Sequence, residues 1–391
     1  MKKVYFMLSA GWGPVIRALP VAEQLKKNGI KSVFHVSGKS IVDHLKRAGY
    51  KVHSPISIPQ KGEPKQDWWT LDQLLYDFNW SDRDFVFARH KAYVQAIKTI
   101  KPDVLVVDFN TSAMLAGKVL NIPILSVVQS CFHQNRKSKY IVYWKKAPDF
   151  LPKVTESING ILSSNGLDSI EKVEDIQLGD ITVIPSIPEV DPLSIKSDSC
   201  YVGPMLGNDI ISGDDYSSSL SEKDMIFVYP GRPKDLGGDS GNLIMTNVLP
   251  ALQKIQNKAV VSVGGFSYSD FNVSENVKIE KWVSESDIIK KCKIMIHHGG
   301  HGACLTALKN GITSIIIPTF AEREYNARNV EKIGCALVLT PEEISPDTLI
   351  SAIKKIEDGE CSENVLYWKK EIESRAYKPV DDVCRFINRL F

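Results

Sequence analysis

Short apolar runs alternate with amphipathic segments along the first half of the chain. KVYFMLS, from Lys3, reads as a buried strand. PVIRALPVAEQLKKNG carries apolar positions at helical spacing and stops at a glycine. KSVFHVSG predicts a second strand, SIVDHLKRAGY a helix, KPDVLVVDF a strand, TSAMLAGKVLN a helix and IPILSVVQ a strand. Alternation of this kind implies parallel strands joined by crossover helices, with ligand sites beyond the C-terminal ends of the strands. The pattern loosens near residue 186, where IPSIPEVDP, YVGPMLGND and SGDDYSSSLSEKD follow one another. Their turn chemistry and low hydrophobicity predict a linker over residues 207–222. Alternation then restarts with MIFVYP, a helix over Asn242–Ile255, KAVVSVGG, KIMIHHGGHG, SIIIP and CALVL. The expected architecture is α/β, with two Rossmann-like domains, 1–206 and 223–362, facing each other across a cleft. A helical tail, 363–391, has Val383, Phe386, Ile387 and Leu390 on one apolar stripe and is expected to pack back toward the N-terminal domain.

Composition narrows the class. A length of 391 residues suits two cores better than one. Apolar residues at 43% and charged residues at 24% are an ordinary globular balance, and a net charge of +2 gives no general field for nucleic acid. The seven cysteines are odd in number, widely spaced and without a C-x-x-C pair, which fits reduced thiols in a cytoplasmic protein. The first apolar run is too short for a secretory segment, and no stretch reaches the ~18 residues that a membrane span needs. No cluster of Asp, His or Cys has metal-ligand spacing.

The most informative stretch is IMIHHGGHGACLTALKNGITSIIIPTFAEREYNARNVEKIGCALVL, residues 294–339. A strand ends in His297-His298, Gly299-Gly300-His301-Gly302 makes a tight turn, and a helix starts near Ala303. Glycines let the backbone approach a ligand while the first N–H groups of the helix point at it, which is the geometry of an anion site. The imidazoles can add hydrogen bonds to phosphate oxygens. Farther on, SIIIP leads into TFAEREYNA, with Glu322 and Asn326 four residues apart on a second helix start.

Together these segments resemble the donor-binding motif of the UDP-glycosyltransferase family, in which one strand ends in H-x-G-x-G and a later one in P-x-x-x-(D/E)-Q-x-x-N-A. The resemblance extends to the Trp282-Val283 pair, to YVGP before the linker and to the first-domain alternation. It points to the macrolide-glycosyltransferase-like branch and implies a GT-B fold. Carried over by position, it implies that His298, the turn Gly299-Gly300 and the N–H groups of Gly302 and Ala303 hold the diphosphate. Trp282 would stack on the base and Val283 would bond it through the backbone. Glu322 would accept sugar hydroxyls, and Asn326 would lie near the phosphates. Gly231-Arg232 stands where the family turns toward the diphosphate, and Arg232 can pair with phosphate there. Helix dipole, His298 and Arg232 can stabilise the leaving diphosphate without a metal. No cofactor is expected beyond the nucleotide-diphosphate sugar, a UDP- or dTDP-sugar, as co-substrate.

Two positions depart from the family pattern. Arg323 replaces a glutamine, and its donor-only guanidinium suggests either a carboxylate-bearing sugar or a surface arginine. In the turn Gly11-Trp12-Gly13-Pro14-Val15-Ile16-Arg17, Pro14 occupies the position of the family's catalytic histidine. Its aspartate partner persists as Asp108, which is equally a candidate helix N-cap before TSAMLAG. Three routes for the acceptor proton stay open. Asp108 acts directly as base; His133 supplies the imidazole with Asp108 orienting it; or the acceptor arrives already ionised, as a phosphate would.

For the acceptor, Trp12 and Gly13 lie in that first turn, and DWWTLDQLLYDFNW offers Trp68 and Trp69 as an aromatic wall or as core. Residues 136–146, RKSKYIVYWKK, interleave cations with aromatics and suit an anionic membrane surface or a lipid acceptor as well as a solvated loop. The expected function is a hexosyltransferase acting, with inversion, on a small-molecule or lipid acceptor. A nucleotide-sugar epimerase and a non-catalytic nucleotide-sugar-binding protein are the alternatives. A cytoplasmic protein, with or without membrane association, is expected.

Overall fold

The computed structural model describes residues 1–59, 68–141, 143–194, 197–207, 225–235, 238–264, 267, 273–281, 283 and 288–391. Apart from Gly207, the expected linker lies outside the described residues. The chain divides into two compact units, one of Met1–Tyr140, Ala147–Asn208 and Lys378–Phe391, the other of Ile141–Lys146 and Asp209–Tyr377.

The first unit follows the predicted alternation: β1 (Lys3–Leu8), α1 (Trp12–Lys27), β2 (Lys31–His35), α2 (Lys39–Arg47), β3 (Lys51–Val52), α3 (Leu71–Asp77), α4 (Arg83–Ile100), β4 (Val104–Asp108), α5 (Thr111–Val119), β5 (Ile124–Val127), α6 (Thr155–Ser164), β6 (Ile181–Ile184) and β7 (Cys200–Tyr201). The strands form one parallel sheet in the order β3-β2-β1-β4-β5-β6-β7. Val4–Leu8 is buried throughout because a central strand of such a sheet is covered on both faces. In α1, Val15, Ala18, Leu19, Ala22 and Leu25 fall on one helical face and join Val4, Phe6 and Leu8 in a single core cluster.

The second unit comprises β8 (Met225–Tyr229), α7 (Ser240–Gln253), β9 (Ala259–Ser262), β10 (Val277–Glu280), β11 (Cys292–His297), α8 (His301–Asn310), β12 (Thr313–Ile316), α9 (Ala321–Lys332), β13 (Ala336–Val338), α10 (Pro346–Glu357) and α11 (Ser362–Ser374). Its parallel sheet runs β10-β9-β8-β11-β12-β13. The last helix, α12 (Pro379–Arg389), belongs to the first unit, where it packs on α1. Val383, Phe386 and Ile387 enter the same cluster as β1 and α1. The segment that returns thus starts at Lys378, later than the tail expected from residue 363, because α11 packs on α8 in the second unit.

Among the described residues no helix is long and apolar enough to cross a membrane. Replacing the fully buried Ile387 by alanine removes methylene packing from the first unit. It is expected to lower that unit's stability by about 2–5 kcal/mol, read as a shift of the urea midpoint.

Candidate active site

In each unit the strand order reverses once, between β8 and β11 in the second and between β1 and β4 in the first. Loops leaving adjacent strands at such a point part to opposite sides, and ligands of open α/β sheets bind in the crevice that results. In the second unit Tyr229 and His297 are register partners at the strand ends, and His298 stands in the crevice. Its ring lies 5.5 Å from that of Tyr229, and Nδ1 is 3.5 Å from the Tyr229 carbonyl oxygen. Two glycines make room for it. A Cβ on Gly231 would come within 2.9 Å of His298 Nδ1, and one on Gly300 within 2.7 Å of Nε2. Gly299 (φ 86°) turns the chain into α8, and a side chain there would meet the Arg323 carbonyl at 2.9 Å.

The start of α8 is open. Gly300 caps it without a side-chain hydrogen bond, Gly302 is exposed, and among the described residues a Cβ on Gly302 would find nothing within 4 Å. The first-turn N–H groups of Gly302 and Ala303 thus offer partial positive charge to an anion. Asn326, buried on α9, donates Nδ2 to the Gly299 carbonyl at 3.1 Å and to Glu322 Oε1 at 2.8 Å. It ties the glycine turn to the helix that carries Glu322. His297 is fully buried, and its Nδ1 accepts the Gly299 N–H at 3.2 Å, so its proton resides on Nε2. Burial lowers the His297 pKa to about 3. The His298 pKa is held well below its ordinary value by burial first, then by Arg323 and His297.

Arg232 is exposed beside this crevice. Arg323 is buried: Nη1 donates to Thr319 Oγ1 at 2.6 Å, Nη2 pairs with Asp235, and the guanidinium lies 4.3 Å over the Phe320 ring. Two of its N–H groups thus serve Asp235 and Thr319. The burial overturns the surface reading of Arg323. Trp282 lies outside the described residues, while Val283 packs partly buried near Phe227 and Met295.

In the first unit Asp108 ends β4 opposite Leu8. Its partner is Arg17, one turn after Pro14 on α1, with Nε to Oδ2 at 2.9 Å and Nη2 to Oδ1 at 3.0 Å. Both residues are buried, at 9% and 4% exposure. Reading the sequence missed this fork, although the signal was there: residues three apart share a helix face, so Arg17 reaches where a side chain at position 14 would point. Asp108 does not cap the next helix. Asn110 does, accepting the Ala113 N–H at 3.1 Å. Between them Phe109 adopts φ 49°, rare for a bulky residue, and stacks on Phe132 at 4.1 Å.

His133 does not join Asp108. It is fully buried, its Nδ1 accepts the Asn135 N–H at 2.9 Å, and Nε2 therefore donates to Ser199 Oγ at 2.9 Å. Burial, with a smaller contribution from Lys172, lowers its pKa to about 4. The His133–Asp108 pairing is thereby overturned. Trp68 and Trp69 are buried, and Trp68 stacks on Phe132 at 6.3 Å, so this pair is core rather than an exposed acceptor wall. Trp12 and Gly13 stay accessible at the start of α1. Arg136 is buried and donates to Glu174 and to the carbonyls of Cys131, Ser138 and Lys139, which removes it from any membrane-facing set. Among the described residues no group of three or more His, Cys, Asp or Glu could hold a metal ion.

Residues 246–381 match the family model described as Erythromycin biosynthesis protein CIII-like, C-terminal domain. The chain is 22% identical over 291 residues to NDP-glycosyltransferase YjiC of Bacillus subtilis (strain 168), covering 71% of this chain and 70% of that protein. It is 28% identical over 124 residues to the erythronolide mycarosyltransferase of Saccharopolyspora erythraea, covering 32% of this chain and 29% of that protein. The fold is similar to that of the calicheamicin glycosyltransferase CalG4 (TM-score 0.74, 18% identity, 100% of this chain and 98% of that chain). It is also similar to that of glycosyltransferase VinC, solved in complex with dTDP (TM-score 0.67, 15% identity, 99% of each chain). Two parallel-sheet Rossmann-like halves with these relatives define a glycosyltransferase of the GT-B fold. The match over residues 246–381 and these relatives make the chain similar to the UDP-glycosyltransferase family.

The buried histidines give stability a pH dependence of definite sign. His35, bonded through Nε2 to the Tyr93 hydroxyl at 3.1 Å, has its pKa lowered to about 4 by burial first, then by Arg89 and His53. His133 and His297 are lowered to about 4 and about 3 from an ordinary 6.5. Their neutral forms fit the fold fully above pH 6.5. As pH falls below that value the unfolded chain binds protons that the folded chain refuses. Each histidine is expected to remove about 1.4 kcal/mol per pH unit until its folded pKa is approached. Urea unfolding at pH 7.5, 6 and 5 checks this, and equal midpoints would contradict it.

Proposed function

We propose that the second unit binds a UDP- or dTDP-sugar with its diphosphate over the start of α8, and that the sugar passes with inversion to a small-molecule acceptor. The observation that carries this reading is the glycine-framed slot for His298 beside an uncapped helix N-terminus. In it the N–H groups of Gly302 and Ala303, with Arg232, receive the diphosphate. Glu322 accepts hydrogen bonds from sugar hydroxyls, while Asn326 fixes both Glu322 and the glycine turn. Val283 contacts the base. The dTDP bound by VinC and the natural products named for CalG4 and the mycarosyltransferase support the donor and acceptor classes.

In the displacement, the acceptor oxygen bonds to the anomeric carbon as the carbon–oxygen bond to the diphosphate breaks. The electron pair leaves on the phosphate oxygen, where preorganised N–H donors meet the growing charge. A neutral His298 with its Nδ1 proton on the Tyr229 carbonyl has no second N–H to give. The diphosphate's charge favours the imidazolium, which bonds Tyr229 through Nδ1 and phosphate through Nε2.

Nucleotide binding is therefore expected to take up a proton near pH 7, and affinity to fall as pH rises from 6 to 8. Calorimetry with UDP and dTDP in buffers of different ionisation enthalpy measures the uptake. Gly300→Ala, which crowds the imidazole, should weaken binding about tenfold, the equivalent of about 1.4 kcal/mol. Turnover of UDP- and dTDP-sugars with an acceptor panel completes the test. An absence of nucleotide binding, or donor conversion that needs no acceptor, would refute the reading.

A further inference from the structure

We infer that the start of α1 and the guanidinium of Arg17 form an oxyanion site, and that the acceptor's attacking oxygen arrives there already ionised, as a carboxylate or a phosphate. This rests on the glycosyl-transfer reading above. Arg17 is nine-tenths buried and held flat by its two bonds to Asp108. Its remaining terminal nitrogen, Nη1, makes no hydrogen bond among the described residues. It lies near the first turn of the helix, where a Cβ on Gly13 would be 3.9 Å from it and, among the described residues, within 4 Å of nothing else.

That turn is prepared for negative charge. Gly11 caps α1 with φ 107° and no side-chain hydrogen bond, and no acidic residue occupies the first turn. Gly13 is exposed and Trp12 partly so, the latter edge-on to His44 at 5.5 Å. Pro14 contributes neither an N–H nor a titratable group. A guanidinium corner thus lies beside the first amides of a helix start, both donors suited to an oxyanion. Asp108 is the positioning residue. It takes the opposite edge of the guanidinium and fixes its plane.

The same residues explain how transfer proceeds without a histidine at position 14. Both Asp108 oxygens accept N–H groups from Arg17, and both nitrogens of His133 are engaged elsewhere. An ionised acceptor needs neither. A carboxylate or phosphate oxygen bonds to the anomeric carbon, the bond to the diphosphate breaks with its electron pair on the nucleotide, and no proton moves. The product is a glycosyl ester or a glycosyl phosphate.

The test follows the Trp12 backbone amide in 15N-tryptophan-labelled full-length protein, titrated with benzoate, phenyl phosphate and benzyl alcohol. One or both oxyanions are expected to shift it saturably, and the alcohol to leave it unmoved. A response to benzoate alone assigns carboxylate acceptors, and a response to phenyl phosphate alone assigns phosphate. Arg17→Met alone strands a buried carboxylate and risks unfolding, so it is paired with Asp108→Asn, which removes both charges together. The double variant should need about tenfold more oxyanion to saturate, and Arg17→Lys should fall between the two. With donor held saturating at each pH and the responding oxyanion as acceptor, release of nucleoside diphosphate should show no rise between pH 6 and 9 of the kind a general base gives. No saturable shift with either oxyanion, an equal shift with benzyl alcohol, or a double variant that binds like wild type overturns the site. If both oxyanions and nucleotide bind but no sugar is transferred, the glycosyl-transfer reading fails while the anion site stands.

Discussion

Everything in this molecule that is open to a ligand follows from one constraint on parallel sheets. Crossover helices must cover both faces, so the strand order has to reverse, and at the reversal two neighbouring strands send their loops apart. The gap is the one place where the sheet's backbone ends face neither helix. In the second unit it falls between Tyr229 and His297, and in the first between Leu8 and Asp108. Helix starts flank both gaps, and each gap holds a buried or half-buried cationic or imidazole side chain kept in place by carbonyl, carboxylate or glycine backbone.

The two gaps solve the same electrostatic problem differently. Burial first, then Arg323 and His297, hold the His298 pKa well below its ordinary value and favour the neutral ring, so on the proposed reading its positive form is brought about by the diphosphate. Arg17 cannot discharge, and it is tolerated in the interior because Asp108 matches it in a bidentate pair. One site gains its charge on binding, whereas the other carries it permanently and keeps it oriented. Arg323 follows the second pattern. It is matched by Asp235 and lies over the Phe320 ring.

How much of this is legible in the sequence depends on how local each feature is. The alternation of strands and helices, the glycine turn before α8 and the pair Glu322–Asn326 all depend on spacings within about one element, and the sequence carries them plainly. Asp108 and Arg17 are 91 residues apart, and their meeting requires β1 and β4 to be neighbours as well as α1 to present its second turn inward. Nothing in either local segment states that. His133 shows the reverse error. A histidine after a strand suggests chemistry, but its partner Ser199 lies 66 residues on, in the segment leading to β7, and only the fold reveals the match. Trp68, Trp69 and Arg136 look exposed or functional by composition and are core, because an aromatic-rich or basic stretch does not say which way it faces.

The last helix has a further consequence. Val383, Phe386 and Ile387 complete a core whose members in β1 and α1 leave the ribosome before the second unit is made. Almost the whole second unit is synthesised between them. Although domains usually form in the order in which they are made, the first unit here waits with one wall of its core unbuilt while the second acquires every strand of its sheet. The core around β1 and α1 is thus complete only once a segment translated after the second unit has been added.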